Sequence, residues 1–171
     1  METEKEIMNR VLTSSLVTFD LEEYFQPGDR VQIDVRDLLF QDLIIKEKDF
    51  REHIKSHNWS QYQDKLVAVY CSIDAIIPTW AYMLLAIALE PFARKIVFGD
   101  LHDLEEQLYK DELAKVNWSV YQDAKVVVKG CSKVDVPLSA YVEVTNKLRP
   151  IAASLMFGEP CSTVPLYKRK Q

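Results

Sequence analysis

The sequence predicts an α/β fold: a mainly parallel sheet built from two tandem, pseudo-two-fold related βαβ repeats, with an N-terminal hairpin or edge-strand extension. Two observations carry this. Short apolar runs alternate with segments of helical spacing through most of the chain, and that alternation implies right-handed βαβ crossovers. In addition, "NWSQYQDKLVAVYCS" (58–72) returns as "NWSVYQDAKVVVKGCS" (117–132).

Residues 14–36 hold two strands, "SLVTFDLEEY" and "RVQIDV", divided by the turn signal "QPGD". In the second, Val31, Ile33 and Val35 alternate with polar residues, as in a strand with one wet face. From Arg36 to His57 the spacing becomes helical through Leu39, Leu43, Phe50 and Ile54, with a break near Ile45. "KLVAVY" (65–70) is an almost continuous β-branched run of the kind that a parallel sheet covers on both faces. A helix follows, opened by Pro78 and running to about Phe92. "KIVFG" (95–99) is the next strand, and 103–116 the next helix. "AKVVVKG" (124–130), a helix from Pro137 to about Leu148 and "SLMFG" (154–158) complete the rhythm. The whole is expected to be a single domain over 1–171, with 1–57 as the extension, 58–116 as the first repeat and 117–171 as the second repeat and tail.

Aligned at one offset, Asn58, Trp59, Ser60, Tyr62, Gln63 and Asp64 fall on Asn117, Trp118, Ser119, Tyr121, Gln122 and Asp123. One inserted residue, Gly130, sets Cys71-Ser72 over Cys131-Ser132. Beyond it, Pro78, Tyr82, Leu89, Phe98 and Gly99 fall on Pro137, Tyr141, Leu148, Phe157 and Gly158. Duplicated packing accounts for the aromatic and aliphatic matches. The Cys-Ser pairs instead mark a position just past the carboxyl end of a strand, where open α/β sheets place ligands. Carrying the frame forward sets Asp100 over Glu159 and His102 over Cys161.

A chain of 171 residues, 48% hydrophobic and 27% charged, is long enough for a real core. With 21 Lys and Arg against 26 Asp and Glu its formal charge is −5, which gives no drive toward phosphate backbones or anionic lipid. Neither nucleic acid nor membrane is expected as a partner; a protein partner or a homodimer is. The start "METEKEIMNRVLTSS" lacks the apolar run of a secretory signal, so the expected location is cytoplasmic. In a reducing compartment three cysteines serve as packing, metal ligands or reactive thiols.

Cys71, His102, Cys131 and Cys161 form the candidate metal site, because three thiolates and an imidazole suit zinc or iron. No C-x-x-C pair is present, so the ligands must converge from separate loops. An alternative is a thiol-dependent enzyme using Cys71 or Cys131, activated by the helix starts at Pro78 and Pro137, with Asp100 and Glu159 orienting a base or water. With 4 glycines and no phosphate-binding loop, a phosphate-cradling enzyme is not expected. A third reading is a scaffold without small-molecule chemistry, its tail "STVPLYKRKQ" either frayed or a docking arm. His53 and His57 read as solvated positions on a charged helix face.

The passages "CSIDAIIPTWAYMLLA", "KIVFGD", "KEKDFREHI" and "MFGEPCSTVPLYKRK" together resemble a bacterial family catalogued as domain of unknown function 2480. The resemblance covers nearly the whole chain and implies no activity. It carries an association with gene neighbourhoods for iron–sulfur cluster assembly, which makes Cys71, Cys131 and Cys161 candidate metal or cluster ligands.

Overall fold

The computed structural model describes residues 16–130 and 133–170. Its strands form two sheets, and the chain divides into two compact units, residues 26–108 (the middle unit) and residues 1–25 with 109–171 (the terminal unit). The predicted α/β class with mainly parallel pairing holds, but the strands are shared between two sheets instead of lying in one. The two N-terminal strands do not form a hairpin with each other. β1 (Leu16–Asp20) and β2 (Arg30–Asp34) are each an edge strand of a different sheet.

In the middle unit β2, β3 (Leu66–Tyr70) and β4 (Lys95–Phe98) are all parallel, with β3 central. The β-branched run at 66–69 is buried on both faces, as its composition requires. Val67 and Val69 pack with Ala81, Leu85 and Leu89 of α2 (Thr79–Leu89) and Phe50 of α1 (Glu47–Ser56). Leu66 and Ala68 face Leu104 and Leu108 of α3 (Leu101–Leu113). Each of the buried Val, Leu and Phe side chains among these contributes ~1.5–3 kcal/mol. Arg30 on β2 grips Glu105 on α3 with two hydrogen bonds, Nε to Oε1 at 2.6 Å and Nη2 to Oε2 at 3.2 Å. The geometry is the planar fork that suits guanidinium and carboxylate.

The helix expected over 36–57 is interrupted near Ile45, as its pattern suggests, but less of it is helical. Val35–Leu38 is a 3-10 turn and 40–44 a tight reversal, so α1 begins only at Glu47. The reversal has two successive residues with positive φ, Gln41 at 53° and Asp42 at 55°, the backbone of a type I′ turn.

In the terminal unit the order is β1-β5-β6-β7, with β5 (Lys125–Lys129) and β6 (Ser154–Glu159) parallel to β1 and β7 (Ser162–Lys168) antiparallel to β6. Val126 and Val128 pack on Ala140, Val144 and Leu148 of α4 (Leu138–Leu148), with Phe19, Tyr109 and Leu113. The ring of Phe19 stacks on Tyr24 at 5.0 Å and on Trp118 at 5.4 Å. The tail expected to fray or to serve as a docking arm forms an edge strand instead. Val164 faces Phe157 and Tyr167 faces Leu155 across the pair, and Pro165 is tolerated because an edge strand has one side without ladder bonds.

Matched positions of the two repeated passages share their backbone. Asn58 and Asn117 have φ/ψ of −80/90° and −80/91°, and each leads into a 3-10 turn. Asp64 and Asp123 are both left-handed, at φ 59° and 57°, and their amides donate to Phe92 and Ile151 carbonyls, each at 2.9 Å. Aspartate tolerates this conformation better than most residues, which explains its place before each strand.

Candidate functional site

In the middle unit Asp34 ends β2, and Cys71 and Asp100 lie in the loops just past the ends of β3 and β4. Asp34 Oδ1 accepts the Arg36 amide at 3.0 Å and the Ser72 amide at 3.1 Å, capping the 3-10 turn after β2 and tying down the loop after β3. Burial works against the Asp34 charge, but the hydrogen bonds from Ser72, the Arg36 amide and Tyr70 outweigh it and hold the carboxyl below its ordinary value. Cys71 is half-buried against the core that also contains Tyr82. Burial, followed by the nearby Cys71 and Asp34, pushes the Tyr82 phenol up.

The loop after β4 is occupied by capping. Asp100 Oδ1 accepts the amides of His102 at 2.7 Å and Asp103 at 3.1 Å, while Asp103 Oδ2 accepts the Asp100 amide at 2.9 Å. These bonds, led by the one from Asp103, lower the Asp100 carboxyl. His102 is exposed, its Nε2 lying 3.5 Å from Glu106 Oε1 one turn along α3.

In the terminal unit Lys129 sits at the corresponding strand end, 3.1 Å from Asp20 Oδ2 and 3.8 Å from Glu159 Oε1. Glu159, expected to orient a base, thus faces an ammonium. Glu22 Oε1 accepts the Lys133 amide at 3.0 Å. Cys131 and Ser132 lie outside the described residues, and Cys161 is exposed in the turn between β6 and β7.

The structure therefore sets Cys71 and His102 after two paired strands of the middle unit, and Cys161 in the terminal unit. Among the described residues no three His, Cys, Asp or Glu side chains stand together as metal ligands.

A different cluster, which the sequence reading treated as solvated, is assembled in the middle unit. The last turn of α1 carries His53 and His57 caps the helix end, both half-buried, with ring centroids 4.8 Å apart. The 3-10 turn that follows brings Trp59 and Tyr62 against them, with the His57 ring 4.5 Å from Trp59 and 5.8 Å from Tyr62. Trp59 Nε1 donates to the Ile54 carbonyl at 2.8 Å, which fixes the indole. The four side chains line a cavity of about 190 Å³ with Gln32, Asp34 and Asp37. A second hollow of about 250 Å³, lined in part by Phe40, Lys46 and Asp49, shares Asp37, Leu38 and His53 with it.

Burial, then the neighbouring His57, holds the His53 imidazole below its ordinary range, which favours the neutral ring. His57 Nε2 lies 2.8 Å from Gln61 Nε2 and 3.2 Å from the Tyr62 hydroxyl. The signal that could have found this site is the H-x-x-x-H spacing at 53–57, which puts both rings on one face of a helix. What made it unreadable was the cover: Trp59 and Tyr62 pack against the rings, and Gln32, Ile33 and Asp34 of β2 line the same cavity.

The model of a family described as "Protein of unknown function (DUF2480)" matches residues 5–169. No curated protein and no solved structure matches the chain.

Proposed function

From the premise that the chain belongs to the DUF2480 family, whose description assigns no activity, we propose that the protein binds a transition metal, zinc or iron, with His53 and His57 as the protein ligands. One observation carries the reading: two imidazoles a single helical turn apart, 4.8 Å between centroids, open into the same cavity as Asp34 and Asp37. Paired histidines at this spacing can grip one ion from one face of a helix. Two protein ligands leave coordination positions for water or a small molecule, the character of an open site and not of a closed structural one. The Gln61 amide within reach of His57 Nε2 is the contact that a metal on that nitrogen displaces.

A second reading keeps the metal at the strand-end loops, with Cys71, His102, Cys131 and Cys161 as ligands. The adjacency of β3 and β4, which sets Cys71 and His102 after paired strands, favours it. The association with iron–sulfur cluster assembly belongs to this reading.

Metal content of the untagged chain, purified with zinc and, anaerobically, with ferrous iron, separates the two. His53→Ala and His57→Ala should each lose the metal, while Cys71→Ser, Cys131→Ser and Cys161→Ser retain it. Loss confined to the cysteine variants would move the site to the loops, and an equal metal content in all variants would sink both readings.

A further inference from the structure

Helix α2 carries an outward stripe that nothing in its own unit covers. From Ala75 to Leu89 the sequence has no Asp, Glu, Lys, Arg or His. Ala81, Leu85 and Leu89 on the inner side are fully buried, whereas Met83 and Ile87 on the outer side are 60% and 66% exposed. A surface helix ordinarily turns polar residues outward, and one that is apolar all round is ordinarily buried.

Further exposed apolar residues stand at the ends of the helix. Ile76, 85% exposed, leads into α2 and bridges Ile44, which is exposed beside Leu43 at the tight reversal. At the other side Phe98, 72% exposed, stands edge-on to Tyr82 with centroids 5.1 Å apart. At ordinary side-chain areas the six residues Leu43, Ile44, Ile76, Met83, Ile87 and Phe98 expose on the order of 800 Å², the size of one side of a standard protein interface. Contiguous apolar patches beyond a few hundred Å² mark interaction sites.

We infer that this surface is covered by a second copy of the chain, with α2 packed on its own equivalent across a two-fold axis. Two copies that each carry a formal charge of −5 repel, and an isologous contact presses identical surfaces together. The uncharged stretch at 75–89 is where that contact brings no like charges face to face. Thr79, Met83 and Ile87 recur every fourth residue, a single i, i+4 ridge of the kind that interdigitates with the same ridge of a facing helix. The stretch 75–89 itself contributes no Lys or Arg to draw an anionic lipid surface.

Sedimentation velocity of the full chain at tens of micromolar tests this. The expected mass is twice the 19.8 kDa of one chain, halved by Ile87→Glu. Val142→Glu, at the outward position of α4 that matches Met83, should leave the dimer intact. Far-UV circular dichroism checks that each variant is folded. Should Ile87→Glu fail to fold, Met83→Lys puts the same charge problem at the neighbouring turn. A chain that stays at 19.8 kDa, or a folded Ile87→Glu or Met83→Lys variant that stays dimeric, would overturn the inference. A monomer that co-sediments with neutral phosphatidylcholine vesicles would overturn it in favour of lipid.

Discussion

The carboxylate of Asp34 accepts the amide of Ser72 at 3.1 Å, joining the ends of two parallel strands that lie 38 residues apart in the chain. The same oxygen caps the turn at Arg36, so one side chain fixes two loops at the carboxyl end of the sheet. Asp20 occupies the matching place in the terminal unit, where it caps Glu22 at 3.0 Å and pairs with Lys129. Asp34→Ala should therefore cost about 1–2 kcal/mol, the size of a lost cap plus an unpaired amide. Urea unfolding measures it, and a loss below a few tenths of a kcal/mol would mean that water replaces both bonds.

The same residue gives a pH dependence. Its folded-state carboxyl titrates below its unfolded value, so the stability it contributes is complete above about pH 4 and is lost as pH falls through the lower, folded value. Asp34→Asn should shallow the acid limb of the urea midpoint between about pH 5 and pH 2. An identical limb in both proteins would show that the Ser72 and Arg36 bonds do not favour the charged form.

Gly99 sits at φ 128°, where an L side chain is strained, and a Cβ there would run into the Asp103 side chain that caps the Asp100 amide. Gly99→Ala should destabilise the protein by about 1–3 kcal/mol. The predicted loss is larger than that of a surface substitution such as Lys48→Ala, which stays within about 0.5 kcal/mol.

The two sides of α2 should respond differently. Leu85→Ala removes a fully buried side chain and should cost about 2–5 kcal/mol, read from the urea midpoint. Met83→Ala, on the exposed stripe, should cost well under 1 kcal/mol at concentrations low enough to hold the chain monomeric. Equal costs would show that the stripe is covered within the chain.

Cys161 is exposed in a turn and Cys71 half-buried against a core. Limited alkylation under native conditions, mapped by mass spectrometry, should label Cys161 before Cys71. The reverse order would place Cys71 in a more accessible loop than the packing around Tyr82 allows.

Much of the local structure was legible. The runs at 65–70 and 124–130 read as strands, the first as one covered on both faces, and Pro78 and Pro137 marked helix starts within one residue. The shared Asn-Trp-Ser and Gln-Asp matches correspond to a 3-10 turn and a left-handed aspartate in each passage. Less legible was the stretch at 36–46, where helical spacing belongs to a 3-10 turn and a type I′ reversal. Apolar spacing alone does not distinguish a helix from a turn whose side chains happen to face one core.

The sequence by itself determined most of the strands and helices, the stretch at 36–46 and the last strand excepted, and that Cys71 and His102 follow strands, because those properties depend on residues near one another in the chain. Only the tertiary structure decided that β1 pairs with β5 and β2 with β3, since a hydrogen-bonding edge carries no label for its partner. It alone decided that His53 and His57, on a charged helix, meet Asp34 and Trp59 in one cavity. Burial is a property of what packs over a residue, and here the rings are covered by the turn that follows the helix, while β2, some twenty residues earlier, supplies the far wall of the cavity.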